Sequence, residues 1–137
     1  MKNIKVISLG LGIIAIANLA GHYFPPFSLF TSFVYINIIT GVVNYPLYKQ
    51  NFSLTVIYNF LLLLMNDLLI RWYAGGNHDS AGMGWCWLMF HVGLVIAVTI
   101  MIVFSFENKS KKFVNSSIVV IGAVISAVFY NFVNSTI

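Results

Sequence analysis

The sequence predicts an all-α integral membrane protein, a bundle of about five transmembrane helices with its amino terminus cytoplasmic and its carboxyl terminus extracytoplasmic. Three observations carry that expectation. Of 137 residues, 60% are hydrophobic and 7% charged, far from the roughly 45–50% apolar and about 25% charged of a soluble domain. The apolar residues fall into runs of about 20, the length that crosses a hydrocarbon core of about 30 Å at 1.5 Å per residue. The lysines stand at the ends of those runs and not inside them.

The first run, residues 4–23, has Lys2 and Lys5 at its start and stops at Pro25-Pro26. Ala15-Ile16-Ala17 has the small residues of a signal-peptide cleavage site, but we expect the run to stay as a span. The further runs are 27–48, 52–73, 85–106 and 113–133, joined by short connections apart from a Gly-rich segment at 74–84. That segment reads as irregular backbone, because glycine and the Asn77, Asp79 and Ser80 side chains favour turns. No internal repeat or second unit interrupts the chain, so residues 1–137 form a single helical membrane domain.

Orientation follows from charge. With the amino terminus inside, Lys2, Lys5, Lys49, Lys109, Lys111 and Lys112 are cytoplasmic and Arg71 alone lies toward the outside, the asymmetry expected when short basic loops stay in the cytoplasm. The expected location is the cell membrane, in a bacterium the cytoplasmic one. The net charge of +4 is spread over span ends and not gathered into a groove-binding stripe, so nucleic acid is not an expected partner. Cys86 is the only cysteine, which excludes an intrachain disulfide, and its neighbours Trp85 and Trp87 make it a packing residue.

Polar chemistry concentrates in the third span. Asn59, Asn66, Asp67 and Arg71 fall within one helix face about 140° wide, which should avoid lipid. Asp67 and Arg71 are four residues apart, so the carboxylate and guanidinium can pair. Asp67 and His91 each lie six residues from an interfacial aromatic, about 9 Å deep on ideal helices, which makes them expected neighbours, with Asp67 orienting His91. His22, at the end of the first span, and the loop pair His78-Asp79 belong to the same outer side. The candidate polar site is therefore His22, Asn66, Asp67, Arg71, His78, Asp79 and His91.

Imidazole and carboxylate together can relay protons, act as general acid and base, or bind Zn or Cu. For a metal the weak candidates are His78, Asp79 and His91, since neither a His pair at i, i+4 nor a His-Glu-x-x-His pattern occurs. No cofactor is specified. The stripe Asn37, Thr40, Gly41 and Asn44, together with Gly21, Gly122 and Ser126, suits close helix contact. Glu107 and the lysines to Lys112 form a cytoplasmic turn, attracted to lipid headgroups.

Three functions are compatible with these features. The chain is expected first as an accessory or structural subunit of a larger membrane assembly, with membrane lipid and either other membrane subunits or copies of itself as partners. A small oligomeric transporter or channel using Asp67 and Arg71 is the second reading. An outer-leaflet enzyme or metal-binding protein using the His/Asp cluster is the third.

Overall fold

A computed structural model describes residues 2–24, 26–74, 80–107 and 110–136, and every regular element among them is a helix. Helix α1 is Lys2–Tyr23 and α2 is Pro26–Ile38, which runs directly into a π-helical turn at Ile39–Val43. A short α3 (Tyr45–Tyr48) precedes α4 (Phe52–Trp72), α5 (Ser80–Ser105) and α6 (Lys112–Thr136). Among the described residues, four helices are long and apolar enough to cross a membrane, namely those of α1, α4, α5 and α6, and the apolar stretch Phe27–Val43 is shorter.

The second run is thus not the single regular helix that its hydropathy predicts. Pro46 is the cause: it has no N–H to donate and its ring collides with the carbonyl four residues earlier. The backbone answers by widening, so that the Asn44 amide reaches the Ile39 carbonyl at 2.9 Å, a bond across five residues. Leu47 and Tyr48 then bond back to the Asn44 carbonyl at 2.9 and 3.3 Å, restarting the helix as α3. Asn51 ends this excursion by capping α4, its side chain accepting from the Leu54 amide at 3.2 Å.

The Gly-rich connection is shorter than the sequence predicts. Helix α5 begins at Ser80, so Gly82 and Gly84 are helical, while residues 75–79 lie outside the described residues. A helical glycine costs about 0.5–1 kcal/mol relative to alanine, and the long apolar run that follows outweighs that cost.

Successive long helices run antiparallel, and their contacts fix a common register. At one end, Gly21 of α1 lies against Ser28 of α2 and Ala74 beyond α4. Midway, Asn18, Tyr35 and Asn66 meet in one layer. At the other end, the Tyr58 hydroxyl donates to the Ile7 carbonyl at 3.3 Å, Tyr45 to Glu107 at 3.3 Å, and Ser105 and Ser116 are 2.7 Å apart. The chain from Pro26 to Tyr48 therefore travels the full height of the bundle in spite of its break. Lys5, Lys49, Lys111 and Lys112 are all exposed at this second end.

The core between the ends is apolar and close-packed, with Ile14, Ile39, Val56, Met101 and Val119 no more than 1% exposed. Glycines permit the approach. A Cβ on Gly122 of α6 would strike the Phe60 ring of α4, whereas one on Gly12 of α1 would meet nothing within 4 Å. Gly122→Ala is accordingly expected to lower stability by about 1–3 kcal/mol through overpacking, and Gly12→Ala to leave it unchanged or slightly higher. Unfolding of the two variants in detergent micelles, followed by circular dichroism, checks the contrast.

Candidate functional site

Helix α4 carries the site because its polar residues recur on the face turned inward. Asn59, Asn66, Asp67 and Arg71 are each between 3% and 6% exposed, as the helical spacing predicts. A charge placed there must be matched by the protein, since an apolar interior offers no other hydrogen bonds.

Arg71 is matched on every branch of its guanidinium. Its Nε donates to Asp67 Oδ2 at 2.7 Å, forming an ion pair whose side chains are 3% and 9% exposed. Its Nη1 donates to Asn134 Oδ1 at 2.9 Å, and its Nη2 to the Tyr130 hydroxyl. Both of those partners are on α6. The guanidinium carbon also stands 4.9 Å from the Tyr130 ring centroid, within the range of cation–π attraction. A planar five-donor fork can satisfy three partners at once, which a lysine ammonium on a flexible stem cannot do with the same geometry.

Asn66 builds the adjoining layer. Its Oδ1 accepts from Asn18 Nδ2 of α1 at 2.9 Å and from the Tyr35 hydroxyl of α2 at 2.7 Å. Beside it, Asp67 lines a cavity of about 20 Å³ together with Ser32, Cys86 and Phe90. That volume holds about one water molecule. A second polar layer lies two turns away on the same helix, where Asn44 donates to Asn59 Oδ1 at 2.7 Å and Asn59 to the Tyr48 hydroxyl at 2.6 Å.

The histidines are placed differently from what depth matching predicts. His91 Nδ1 lies 2.8 Å from the Trp87 carbonyl of its own helix, and its ring packs on Trp87 at 4.2 Å and edge-on to Tyr130 at 5.4 Å. Asp67 is taken up by Arg71 and does not orient His91. Tyr130 stands between them, touching both His91 and Arg71. His22 stands elsewhere, at the end of α1, stacked on Tyr73 at 4.5 Å with Nδ1 2.9 Å from the Tyr73 carbonyl. A carbonyl only accepts, so in this geometry both histidines donate from Nδ1.

His78 and Asp79 lie outside the described residues. Among the described residues, no three His, Cys, Asp or Glu side chains come together as a metal would require. The structure thus joins Asn66, Asp67 and Arg71, links His91 to them through an aromatic ring, and sets His22 apart.

Residues that the sequence reading passed over complete the site. Tyr130 and Asn134 are four apart on α6 and so share a face. Tyr35, a phenol in the middle of an apolar run, needed a hydrogen-bond partner and could have been flagged on that ground. At the lysine-bearing end, Lys49 Nζ lies 4.4 Å from the Tyr45 ring centroid, and hydrogen bonding to Tyr45 pushes its ammonium above the ordinary value. Compared with known protein families, with curated proteins and with solved structures, the chain matches none of them.

The Arg71 network makes a quantitative statement about stability. Asp67→Asn leaves a buried guanidinium without its counter-charge and is expected to cost about 3–5 kcal/mol, whereas the double replacement Asp67→Leu with Arg71→Met is expected to recover most of that loss. Thermal unfolding of Asp67→Leu, Arg71→Met and their double variant in one detergent gives the cycle, with Asp67→Asn measured beside it. A double variant no more stable than Asp67→Asn would mean that the pair is not acting as a neutralised clamp.

Proposed function

We propose that this chain is a five-pass protein of the cytoplasmic membrane, with its lysine-bearing end in the cytoplasm, acting as an accessory or structural subunit of a larger membrane assembly. The observation that carries the role is the closure of the Arg71 network: each guanidinium nitrogen bonds within the bundle, to Asp67, Tyr130 and Asn134. The cavity that abuts Asp67 has room for about one water. Buried charge used in this way joins α4 to α6 and holds a shape. All three guanidinium nitrogens of Arg71 are engaged within the bundle, which favours a structural use of the charge.

The apolar exterior supports the same reading. Val124, Ile125, Val128 and Phe132 on α6 are each more than half exposed, as are Ile4 and Ile16 on α1, and these surfaces require lipid or neighbouring apolar helices. The passage of Pro26–Tyr48 along the full height of the bundle supports five crossings, its 23 residues corresponding to about 34 Å of helix rise. The gathering of lysines at one end supports the orientation.

Two measurements test the proposal. A reporter active only outside the cytosol is expected to be silent when fused after Gln50 and active when fused after Asn134. The tagged protein, extracted gently from its native host, is expected to appear in native mass spectrometry as part of a stoichiometric complex. Recovery as a lone monomer across mild detergents would overturn the subunit role, and an active fusion after Gln50 would overturn the orientation.

A further inference from the structure

Two openings on the lysine-bearing half of the bundle share one wall. The first is a groove of about 590 Å³ between the π-helical turn and α5, bordered by Phe33, Ile38, Gly41, Ile96, Ile100 and Phe104 and almost wholly apolar. The second is a hollow of about 560 Å³ bordered by Tyr48, Lys49, Phe52, Phe104, Glu107 and Asn115. Phe104 belongs to both, and its ring lies 5.2 Å from Tyr45 and 5.0 Å from Tyr48. An apolar trough thus opens beside a charged hollow at the level where the bundle ends.

Among the described residues that line it, the hollow holds one cation and one carboxylate, both in contact with one aromatic ring. Lys49 Nζ stands 4.4 Å from the Tyr45 ring centroid, and the Tyr45 hydroxyl donates to Glu107 Oε1 at 3.3 Å. Lys49 and Glu107 form no ion pair with each other; among the described residues the one ion pair is Asp67–Arg71. Both are exposed. Two opposite charges on one tyrosine complement a molecule that carries a phosphate and an ammonium a few bonds apart, with hydrocarbon attached.

We propose that groove and hollow together bind one phospholipid with a zwitterionic headgroup bearing a primary amine. An acyl chain lies between the π-helical turn and α5, the phosphate is held by Lys49, and the ammonium is held by Glu107. Charge selects this occupant. An anionic headgroup without an amine offers the same phosphate to Lys49 but no cation to Glu107, and a quaternary ammonium cannot donate the hydrogen bonds that a carboxylate accepts from a primary one. The groove is kept open by Gly41, where a Cβ would stand 3.5 Å from Ile100, an ordinary contact, so that any longer side chain extends into the space a lipid chain would take.

The inference rests on the membrane reading above, and its test separates the two. Protein delipidated in detergent is titrated with phosphatidylethanolamine, phosphatidylglycerol or phosphatidylcholine of matched chains, and bound lipid is counted by native mass spectrometry. One phosphatidylethanolamine is expected to bind in preference to either competitor. A headgroup contact worth about 1 kcal/mol corresponds to about a fivefold change in occupancy, so Lys49→Ala should weaken all three lipids by about that factor. Glu107→Gln should erase the preference for phosphatidylethanolamine over phosphatidylglycerol.

Gly41→Leu and, from the opposite wall, Ile96→Trp should each abolish the bound lipid while circular dichroism and elution volume stay unchanged. Equal binding of the three lipids by the unmodified protein, or retention of the lipid by both groove-filling variants, would overturn the inference and leave the membrane reading intact. A protein that fractionates away from membranes would overturn both.

Discussion

A hydrogen-bonding group buried among apolar side chains must find its partner in the protein, and the bundle is organised around that requirement. Apolar packing between helices is weakly directional when the surroundings are as apolar as the side chains. Register is therefore set where polar groups meet. Asn66 ties α4 to α1 and α2, Asn59 ties α4 to the interrupted second helix, and Arg71 ties α4 to α6. Between the two layers of α4 lie Phe60, Leu62 and Leu63, all buried. One helix with two polar bands separated by an apolar one thus fixes three of its neighbours.

The side-chain groups left without a partner follow from helix chemistry. Asn18 Oδ1, Ser28 Oγ, Asn37 Oδ1 and Asn44 Oδ1 are buried and accept from nothing among the described residues. For each of the three amides the donor is nonetheless used. Asn18 Nδ2 reaches the Ile14 carbonyl as well as Asn66, and Asn37 Nδ2 reaches the Phe33 carbonyl. A helix consumes its N–H groups but leaves each carbonyl a second lone pair. Amide donors in a helical bundle therefore find an acceptor more readily than amide oxygens find a donor; Ser28 Oγ, buried, bonds in neither role among the described residues. The same asymmetry explains why Thr40, Thr55, Thr99 and Ser117 bond to carbonyls one turn back, and why both described histidines turn Nδ1 toward one.

How much of this was legible depends on range. The helical class, the inward face of α4 and the Asp67–Arg71 pair are local properties of spacing and hydropathy, and the structure has them. The break in the second helix was written in Pro46 but masked by the strength of the apolar run around it. The extension of α5 through Gly82 and Gly84 is hidden in the sequence because glycine favours turns locally, and only the long apolar run behind it carries the helix through. The partners of Arg71 on α6 are 59 and 63 residues away, and no periodicity reports a contact at that separation. Matching depths from aromatic landmarks placed His91 at the level of Asp67, but it could not show that Tyr130 stands between them.

The position of Arg71 along its own helix bears on the role of the cluster. It lies in the last turn of α4, where the partial negative charge of the helix terminus favours a cation, and Asp67 precedes it in the more favourable i, i+4 order. The guanidinium is thus stabilised by its own helix before any second helix is considered. What α6 adds, through Tyr130 and Asn134, is a geometry that only one placement of the two helices satisfies. A residue already neutral in charge gains little energy from further partners but becomes sensitive to their position. The arrangement accordingly supports a clamp that specifies how α4 and α6 meet, and the exposed charges lie at the opposite end, where Lys49 and Glu107 both engage Tyr45 without a direct ion pair between them.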